Sequence, residues 1–250
     1  SVAFGVSNSS SASNGLAVGL SNTVSSSKAS AFGYANFAQQ TDATSIGFQN
    51  VVTRARGSAV GYDNSCTAGN DSSAFGYENY ANASRVSAFG FRNGISGAKS
   101  SAFGYQNRII AGAEQSAALG YTNTVTSSAC LVARNDNVAS GDFVQVVGQS
   151  NRSWGATYDS AFGVNNNVSG SYSVGLGYTN ITRKNYSAAV GVNNRASGVA
   201  NVAVGFECQS AALGTECTGS AVFGHGVLNG ASDVVEIGRW NNDGERLGAV

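Results

Sequence analysis

Apolar and polar positions repeat along this chain with a period of about 14 residues. The clearest copies read Ser-Ala-Phe-Gly-Tyr-x-Asn, at residues 30–36, 73–79 and 101–107, and residues 87–93 carry Phe in place of Tyr. Alternation of small and large side chains over five residues predicts a short β-strand. We call the glycine of each copy the marker glycine. The markers are Gly5, Gly19, Gly33, Gly47, Gly61, Gly76, Gly90, Gly104, Gly120, Arg134 in place of glycine, Gly148, Gly163, Gly177, Gly191, Gly205, Gly214, Gly224 and Gly238.

Each copy is followed by turn signals and by a second, more variable run. Asn stands three residues after the marker in 15 of the 18 copies, and we expect it to turn the chain because Asn tolerates left-handed backbone angles. Most steps are 14 residues, and the shortest are 9 and 10, on either side of Gly214. Two short strands and two turns per copy predict an all-β fold, a narrow parallel β-solenoid with about 14 residues per coil.

The alternation also predicts how the strands pack. It places Ala74 and Gly76 on one face and Ser73, Phe75 and Tyr77 on the other, so we expect the large face to fill a core. Stacked coils would align equivalent Asn side chains in a ladder. Because so narrow a coil has a thin interior, we expect several copies to share apolar faces in a homo-oligomer. Representative structural repeat residues are Gly33, Asn36, Gly76, Asn79, Gly104, Asn107, Gly163 and Asn166.

The repeat predicts one domain over residues 1–232, with about 17 coils. Residues 233–250 are the most charged stretch, and we expect them to form the last coil and a junction to a following segment, since terminal repeats are atypical. Residues 130–159 are irregular, with charged and bulky side chains, and loops on a rigid scaffold are where recognition tends to lie. The candidate receptor-binding residues there are Arg134, Asp136, Arg152, Trp154 and Tyr158.

Composition limits the partners. Formal net charge is zero and 11% of residues are charged, which argues against a nucleic-acid partner. No apolar run approaches the roughly 18 residues that cross a bilayer, so we expect no membrane insertion. Proline is absent, as suits strands that must all donate to a ladder. Met is also absent, and we therefore expect Ser1 not to be a translation start and the chain to belong to a longer polypeptide.

Residues capable of catalysis or metal binding are sparse. One histidine, His225, and four cysteines without C-x-x-C spacing predict no metal site, no cofactor and no catalytic residues. A polysaccharide hydrolase needs two carboxyl groups about 5–10 Å apart, and only Asp136, Asp142 and Asp159 gather near aromatic residues, so an enzyme is the least favoured hypothesis.

Two cysteines share the phase of the repeated Asn, namely Cys208 and Cys217. On successive coils they would lie about 4.8 Å apart, which fits a disulfide. They are therefore a disulfide candidate, and two separate thiols are the alternative.

The phase-locked Ser-x-Ala-x-Gly unit, as in residues 1–5 and in Asn201–Gly205, resembles the YadA-like head repeats of trimeric autotransporter adhesins. The resemblance covers about residues 1–238. It implies a left-handed β-roll, three chains side by side around one axis, and attachment to host surfaces. The same repeat type occurs in the tail fibres of bacteriophages.

The neck, stalk and membrane anchor of the bacterial adhesins are not recognisable after Gly238, and residues 235–250 look like a segment of phage fibre proteins. The resemblance therefore implies a homotrimeric module of a virion, in a tail or capsid fibre, with a host cell-surface glycan or protein and other fibre or virion proteins as partners. A bacterial adhesin head at the cell surface and a passive structural spacer remain open as alternatives.

Overall fold

The computed structural model describes residues 1–154, 157–210 and 218–240. These residues form an all-β parallel β-solenoid of about 16 turns, each with a five-residue strand and a two-residue strand. The chain divides into two compact units, Ser1–Ala129 and Cys130–Val250. The described residues contain no helix, and so none that is long and apolar enough to span a membrane.

In the first unit, the long strands are β1 (Val2–Val6), β3 (Leu16–Leu20), β5 (Ser30–Tyr34), β7 (Thr44–Phe48), β9 (Ser58–Tyr62), β11 (Ser73–Tyr77), β13 (Ser87–Phe91), β15 (Ser101–Tyr105) and β17 (Ala117–Tyr121). The short strands are β2 (Ser9–Ser10), β4 (Thr23–Val24), β6 (Phe37–Ala38), β8 (Val51–Val52), β10 (Ser65–Cys66), β12 (Tyr80–Ala81), β14 (Gly94–Ile95), β16 (Arg108–Ile109) and β18 (Thr124–Val125).

In the second unit, the long strands are β19 (Leu131–Asn135), β21 (Gln145–Gln149), β23 (Ser160–Val164), β25 (Val174–Tyr178), β27 (Ala188–Val192), β29 (Val202–Phe206), β31 (Ala221–His225) and β33 (Val235–Arg239). The short strands are β20 (Val138–Ala139), β22 (Arg152–Ser153), β24 (Asn167–Val168), β26 (Ile181–Thr182), β28 (Arg195–Ala196), β30 (Gln209–Ser210) and β32 (Leu228–Asn229).

Each unit contains two parallel sheets, one of long strands and one of short strands. Within each unit, successive long strands pair in register, so that marker glycines lie opposite each other, as Gly33 does to Gly47 and Gly76 to Gly90. The short strands pair in the same way. The stacked, in-register repeat predicted from the marker glycines is therefore confirmed.

One predicted coil does not form. Strand β29 pairs directly with β31, with Gly205 opposite Gly224, so the two short steps around Gly214 together span a single turn. Gly214 itself lies outside the described residues. The sequence carried a signal for this, because the steps of 9 and 10 residues around Gly214 are both shorter than the usual 14.

The core of each turn is made of small side chains. Ala74 of β11, Ala81 of β12 and Val86, which precedes β13, are all buried. Phe75 and Tyr77, which alternate with Ala74, lie on the outer side of the sheet and remain half-buried or exposed. The prediction that the large face fills the core of the coil was wrong, because the interior between the two sheets is filled by small and medium-sized side chains, mainly Ala, Val, Ile, Ser and Asn.

The buried Asn side chains form a hydrogen-bonded ladder. Asn36 Nδ2 lies 2.9 Å from the carbonyl oxygen of Phe32, 2.7 Å from that of Gly47 and 3.0 Å from Asn22 Oδ1. Asn36 Oδ1 accepts from the backbone and side-chain amides of Asn50, at 3.1 and 3.0 Å. Each Asn thus contacts its own strand, the turn before it and the turn after it.

The same contact explains the marker glycine. At Gly76 the backbone φ is 120°, and a Cβ atom there would lie 2.1 Å from the carbonyl oxygen of Gly90. That carbonyl is the one that accepts from Asn79 Nδ2 at 2.7 Å. A side chain at this position would therefore collide with the backbone of the next turn and displace the acceptor of the ladder.

The chain turns at residues other than the ladder Asn. Glu78, which precedes Asn79, has a φ of 51°, and Arg85, at the second corner of the same turn, has a φ of 58°. Asn79 is buried and does not adopt a positive φ, so the expectation that Asn reverses the chain was wrong. We call the position of Arg85, two residues before each long strand, the second corner.

The ladder gives a prediction with a matched control in neighbouring residues. Asn166 is buried, and its amide lies within hydrogen-bonding distance of the carbonyls of Phe162 and Gly177. Asn167, next to it, is exposed. We expect Asn166→Ala to lower the free energy of unfolding by at least about 3 kcal/mol, since several buried groups lose their partners. Asn167→Ala should change it by less than about 0.5 kcal/mol. Chemical denaturation followed by circular dichroism measures both, and equal effects would contradict the ladder's role.

Candidate functional site

The outer side of the long strands in the first unit is an apolar face. The residues just after the marker form an unbroken stack of seven aromatic rings, Tyr34, Phe48, Tyr62, Tyr77, Phe91, Tyr105 and Tyr121, with centroids 4.7 to 5.0 Å apart. Phe75, Phe89 and Phe103, just before the marker, form a second stack. Parallel in-register pairing produces these stacks, because it sets equivalent side chains one strand spacing apart.

Stacking determines what these rings can bind. A sugar packs on the face of an aromatic ring, but within the stack both faces of a ring such as Tyr62 contact its neighbours. Ring edges and apolar flanking side chains such as Ile46 and Leu119 remain exposed. The surface therefore suits broad apolar packing against a protein better than stacking of individual sugars.

The single histidine belongs to the corresponding row of the second unit. His225 lies edge-on to Phe206 with ring centroids 4.9 Å apart, and its ring centroid is 4.5 Å from that of Trp240. These aromatic contacts account for its position at the end of a long strand.

The five residues predicted to bind a receptor fall at different positions of the coil. Arg134 takes the marker position of β19 with a φ of 80°, a left-handed conformation that is strained for a residue with a side chain. Asp136 has a φ of 54° at the first corner of the same turn. Both are exposed, and they belong to the side of the coil that carries the long strand and its first corner.

Arg152, Trp154 and Tyr158 belong to one later turn. The Arg152 guanidinium lies 5.9 Å from the ring centroid of Trp154, within the range of a cation–π contact. Trp154 follows the short strand β22, and Tyr158 occupies the second corner before β23. The structure thus groups these three residues around one turn and separates them in chain position from Arg134 and Asp136.

Tyr158 is part of a larger feature, which we call the aromatic ridge: Phe143, Tyr158, Tyr172 and Tyr186. All four occupy the second corner of successive turns with φ between 57° and 61°. Their rings stack with centroids 4.9, 5.0 and 5.3 Å apart, and each residue is between 49% and 60% exposed. Three hydroxyl groups and the edges of four rings therefore face solvent.

The same corner in the first unit has a different chemistry. There six of the nine positions are charged, as expected at a solvated corner, and none is aromatic: Asn14, Lys28, Asp42, Arg56, Asp71, Arg85, Lys99, Gln115 and Ala129. Arg56 and Asp71 form an ion pair. The change from charges to aromatic rings at an equivalent exposed position marks the aromatic ridge as a candidate recognition surface.

Of the four ridge residues, only Tyr158 was predicted from the sequence, although the spacing of all four is regular. Phe143, Tyr158, Tyr172 and Tyr186 are 15, 14 and 14 residues apart, in phase with the repeat but away from the marker. The marker pattern does not reveal them, because they recur at another position of the repeat.

The acidic residues of the irregular stretch differ in burial. Asp136 is exposed at the first corner of its turn and Asp142 is exposed just before the second-corner residue Phe143, whereas Asp159 is buried in the core. The Ser153 hydroxyl lies 3.3 Å from one Asp159 carboxyl oxygen, and the Ser173 amide donates to the other at 3.1 Å. Burial raises the pKa of Asp159 to about 6, although both hydrogen bonds oppose this shift. In the described part of the chain, no three His, Cys, Asp or Glu residues gather in a metal-binding group.

The described cysteines are core residues. Burial raises the pKa of the Cys66 thiol to about 11, and the Cys130 thiol donates to the carbonyl of Gly141 at 3.0 Å. Cys208 is buried and its thiol lies 3.1 Å from the carbonyl oxygen of Gly224.

The disulfide candidate involves Cys217, which lies outside the described residues. The position one turn after Cys208 is held by Val227, because the Gln209 amide donates to the Val227 carbonyl in the pattern that joins successive turns. The spacing argument that placed Cys217 there was therefore wrong, and the pairing itself stays a prediction.

No protein-family model matches this sequence, and no curated protein compared with it is similar.

The buried carboxyl of Asp159 predicts an unusual pH dependence. Its pKa is about 6 when folded against an ordinary value of 3.8, so the folded chain binds the extra proton between these values. Stability from this group is complete below about pH 4 and is lost as pH rises through about 6. We expect Asp159→Asn to raise the free energy of unfolding at neutral pH by about 1–3 kcal/mol and to flatten its fall between pH 4 and 6. Denaturation at several pH values checks this, with exposed Asp63→Asn as control; a wild-type curve that does not fall there would refute it.

Proposed function

We propose that this chain is a fibre or adhesin module in which three copies lie side by side around one axis as left-handed β-rolls. In this proposal it projects from a bacteriophage virion, in a tail or capsid fibre, and attaches the particle to a host surface. The observation that carries the proposal is the apolar face of the long strands, which a single chain leaves exposed.

That face favours a second copy of the same chain as its cover. Monomeric proteins rarely expose contiguous apolar patches beyond a few hundred Å². Stacked rings and side chains such as Ile46, Phe103 and Leu119 repeat here at the spacing of the turns. A sister chain presents the same face with the same spacing, so side chains of one copy can fill the intervals of another along its length. The core of small residues adds to this argument, since a single coil has little apolar volume of its own to bury.

The aromatic ridge supports an attachment role. Tyr, Trp and Arg are the residue types that dominate binding energy at recognition sites, and all three occur here, since Arg152 and Trp154 belong to the same turn as Tyr158 of the ridge. They stand on turns held by the Asn ladder, so the surface is ordered before it meets a partner. A host cell-surface glycan or protein is the partner that this proposal implies.

Two alternatives share the same fold. A bacterial adhesin head would use the same surfaces at a cell surface, and a passive spacer would use only the ladder. The regularity of the first unit, with its charged second corner, favours a spacer role for that part of the chain. A polysaccharide-degrading enzyme has the least support, because Asp159 is buried whereas Asp136 and Asp142 are exposed.

The proposed association predicts the mass in solution. We expect the purified chain to have three times its own mass of 25.3 kDa in light scattering. Ile46→Glu, which places a carboxylate on the apolar face, should reduce this to the mass of one chain. Gln40→Glu adds the same charge at an exposed position between the short strand β6 and the second corner, and it should leave the mass unchanged. Circular dichroism verifies that both variants keep their strands, and a wild-type monomer would overturn the proposal.

The attachment role predicts that substitutions in the aromatic ridge, and not at the same corner of the first unit, weaken binding to host cells. We expect the fluorescently labelled chain to bind host cells, and the double variant Tyr172→Ser, Tyr186→Ser to bind at least about tenfold more weakly. Arg85→Ser, Lys99→Ser changes the same corner in the first unit and should bind as the wild type does. Absence of wild-type binding to every cell type tested, with the trimeric mass retained, would favour the spacer.

A further inference from the structure

We propose that an open pocket around Gly94, in the first unit, binds a saccharide that carries a singly charged oxoanion, either a sugar carboxylate or a phosphodiester. The inference rests on the proposed function in so far as that saccharide belongs to a host surface. It concerns a different part of the chain from the aromatic ridge and can be tested separately.

The pocket arises from one missing side chain in the short-strand sheet. The first residue of each short strand points away from the core, and Gly94 takes this position between Tyr80 and Arg108, its partners on the neighbouring strands. A Cβ atom at Gly94 would meet no atom within 4 Å. The resulting depression has a volume of about 540 Å³, within the range of small-ligand sites. No backbone constraint requires glycine here, since Gly94 does not have a positive φ.

The charged groups that line the pocket are both cationic. Arg92 and Arg108 contribute to its wall, and none of its lining residues is acidic. The Arg92 guanidinium lies 4.9 Å from the ring centroid of Phe91, and its Nε donates to Glu78, so that its position is fixed. Glu78 lies outside the lining and offsets the charge of Arg92.

Arg108 carries the positive charge of the pocket that no acidic residue balances. Its side chain is exposed, and within the described residues it makes no hydrogen bond or ion pair. A guanidinium group presents paired donors that match the two oxygens of a carboxylate or phosphodiester. With Arg92 balanced by Glu78, the local net charge is that of one cation, which a singly charged anion neutralises.

The remaining lining suits a sugar ring. Ser96 and Gln106 offer a hydroxyl and an amide for hydrogen bonds with sugar hydroxyls, while Ile110 and Ala111 offer apolar contact for its C–H groups. A nucleic acid does not fit this site, because two arginines, one of them paired, do not form the basic track that a polyphosphate backbone needs. Charge and pocket size together favour a short acidic oligosaccharide.

Titration calorimetry on the trimeric or monomeric wild-type chain tests the site directly. We expect short oligogalacturonate to bind, to weaken as salt is added, and to bind at least about tenfold more tightly than a neutral malto-oligosaccharide of equal length. Short poly(glycerol phosphate) distinguishes the two anion sources, since a sugar carboxylate site favours the first probe and a phosphodiester site the second. If neither anionic probe binds better than the neutral one, the proposal is wrong.

Two variants and a control locate the binding. Gly94→Leu fills the pocket where there is room for a side chain, and Arg108→Gln removes the unpaired cation; each should weaken binding of the preferred probe at least about tenfold. Lys99→Gln removes an exposed cation that does not line the pocket and should leave binding unchanged. Equal loss in Lys99→Gln, or full binding by Gly94→Leu, would overturn the proposal. Cell attachment and mass in solution are measured separately from saccharide binding. A negative result for the fibre proposal can therefore be distinguished from a negative result for this site.

Discussion

The hydrogen bonds between the buried Asn of one turn and the marker glycine of the next are the constraint on which this structure depends. Asn79 Nδ2 reaches the carbonyl oxygen of Gly90, while its own Oδ1 accepts from Asn93. Buried amides and carbonyls are costly when they lack partners, so each turn is complete only when another turn is stacked on it. That requirement fixes the register, because a shift by one residue would replace an Asn with a side chain that cannot make these bonds.

Register in turn decides the chemistry of the surface. Because successive turns pair in register, any residue type that recurs at one phase of the repeat becomes a row in space. Recurrent Phe and Tyr after the marker become a stack such as Tyr62, Tyr77 and Phe91, and recurrent Tyr at the second corner becomes the aromatic ridge. The fold therefore displays large side chains outward and keeps small ones inside, the reverse of a globular domain. An outward apolar face then needs a cover, which links the thin core to the proposed association of three chains.

Departures from the repeat are where individual sites arise. A missing side chain at Gly94 opens a pocket beside Arg108, an acid at a core position gives the buried Asp159, and Arg134 introduces backbone strain at a marker position. Around Gly94 and Asp159 the adjoining turns keep their ladder contacts. Scaffold and sites are in this sense independent, so that one exposed row can change from charged to aromatic without altering the coil.

The sequence by itself determined the all-β class, the turn of about 14 residues, the stacking of marker glycines and the ladder of Asn, because all of these follow from periodicity in a single register. Only the tertiary structure decided that Phe75 faces outward, that Glu78 and not Asn79 turns the chain, and that Val227 follows Cys208 in the stack. Alternation along a strand separates two faces without saying which one is inside. That choice depends on the width between the two sheets, which accommodates Ala74 and Val86 and leaves Phe75 on the outer side.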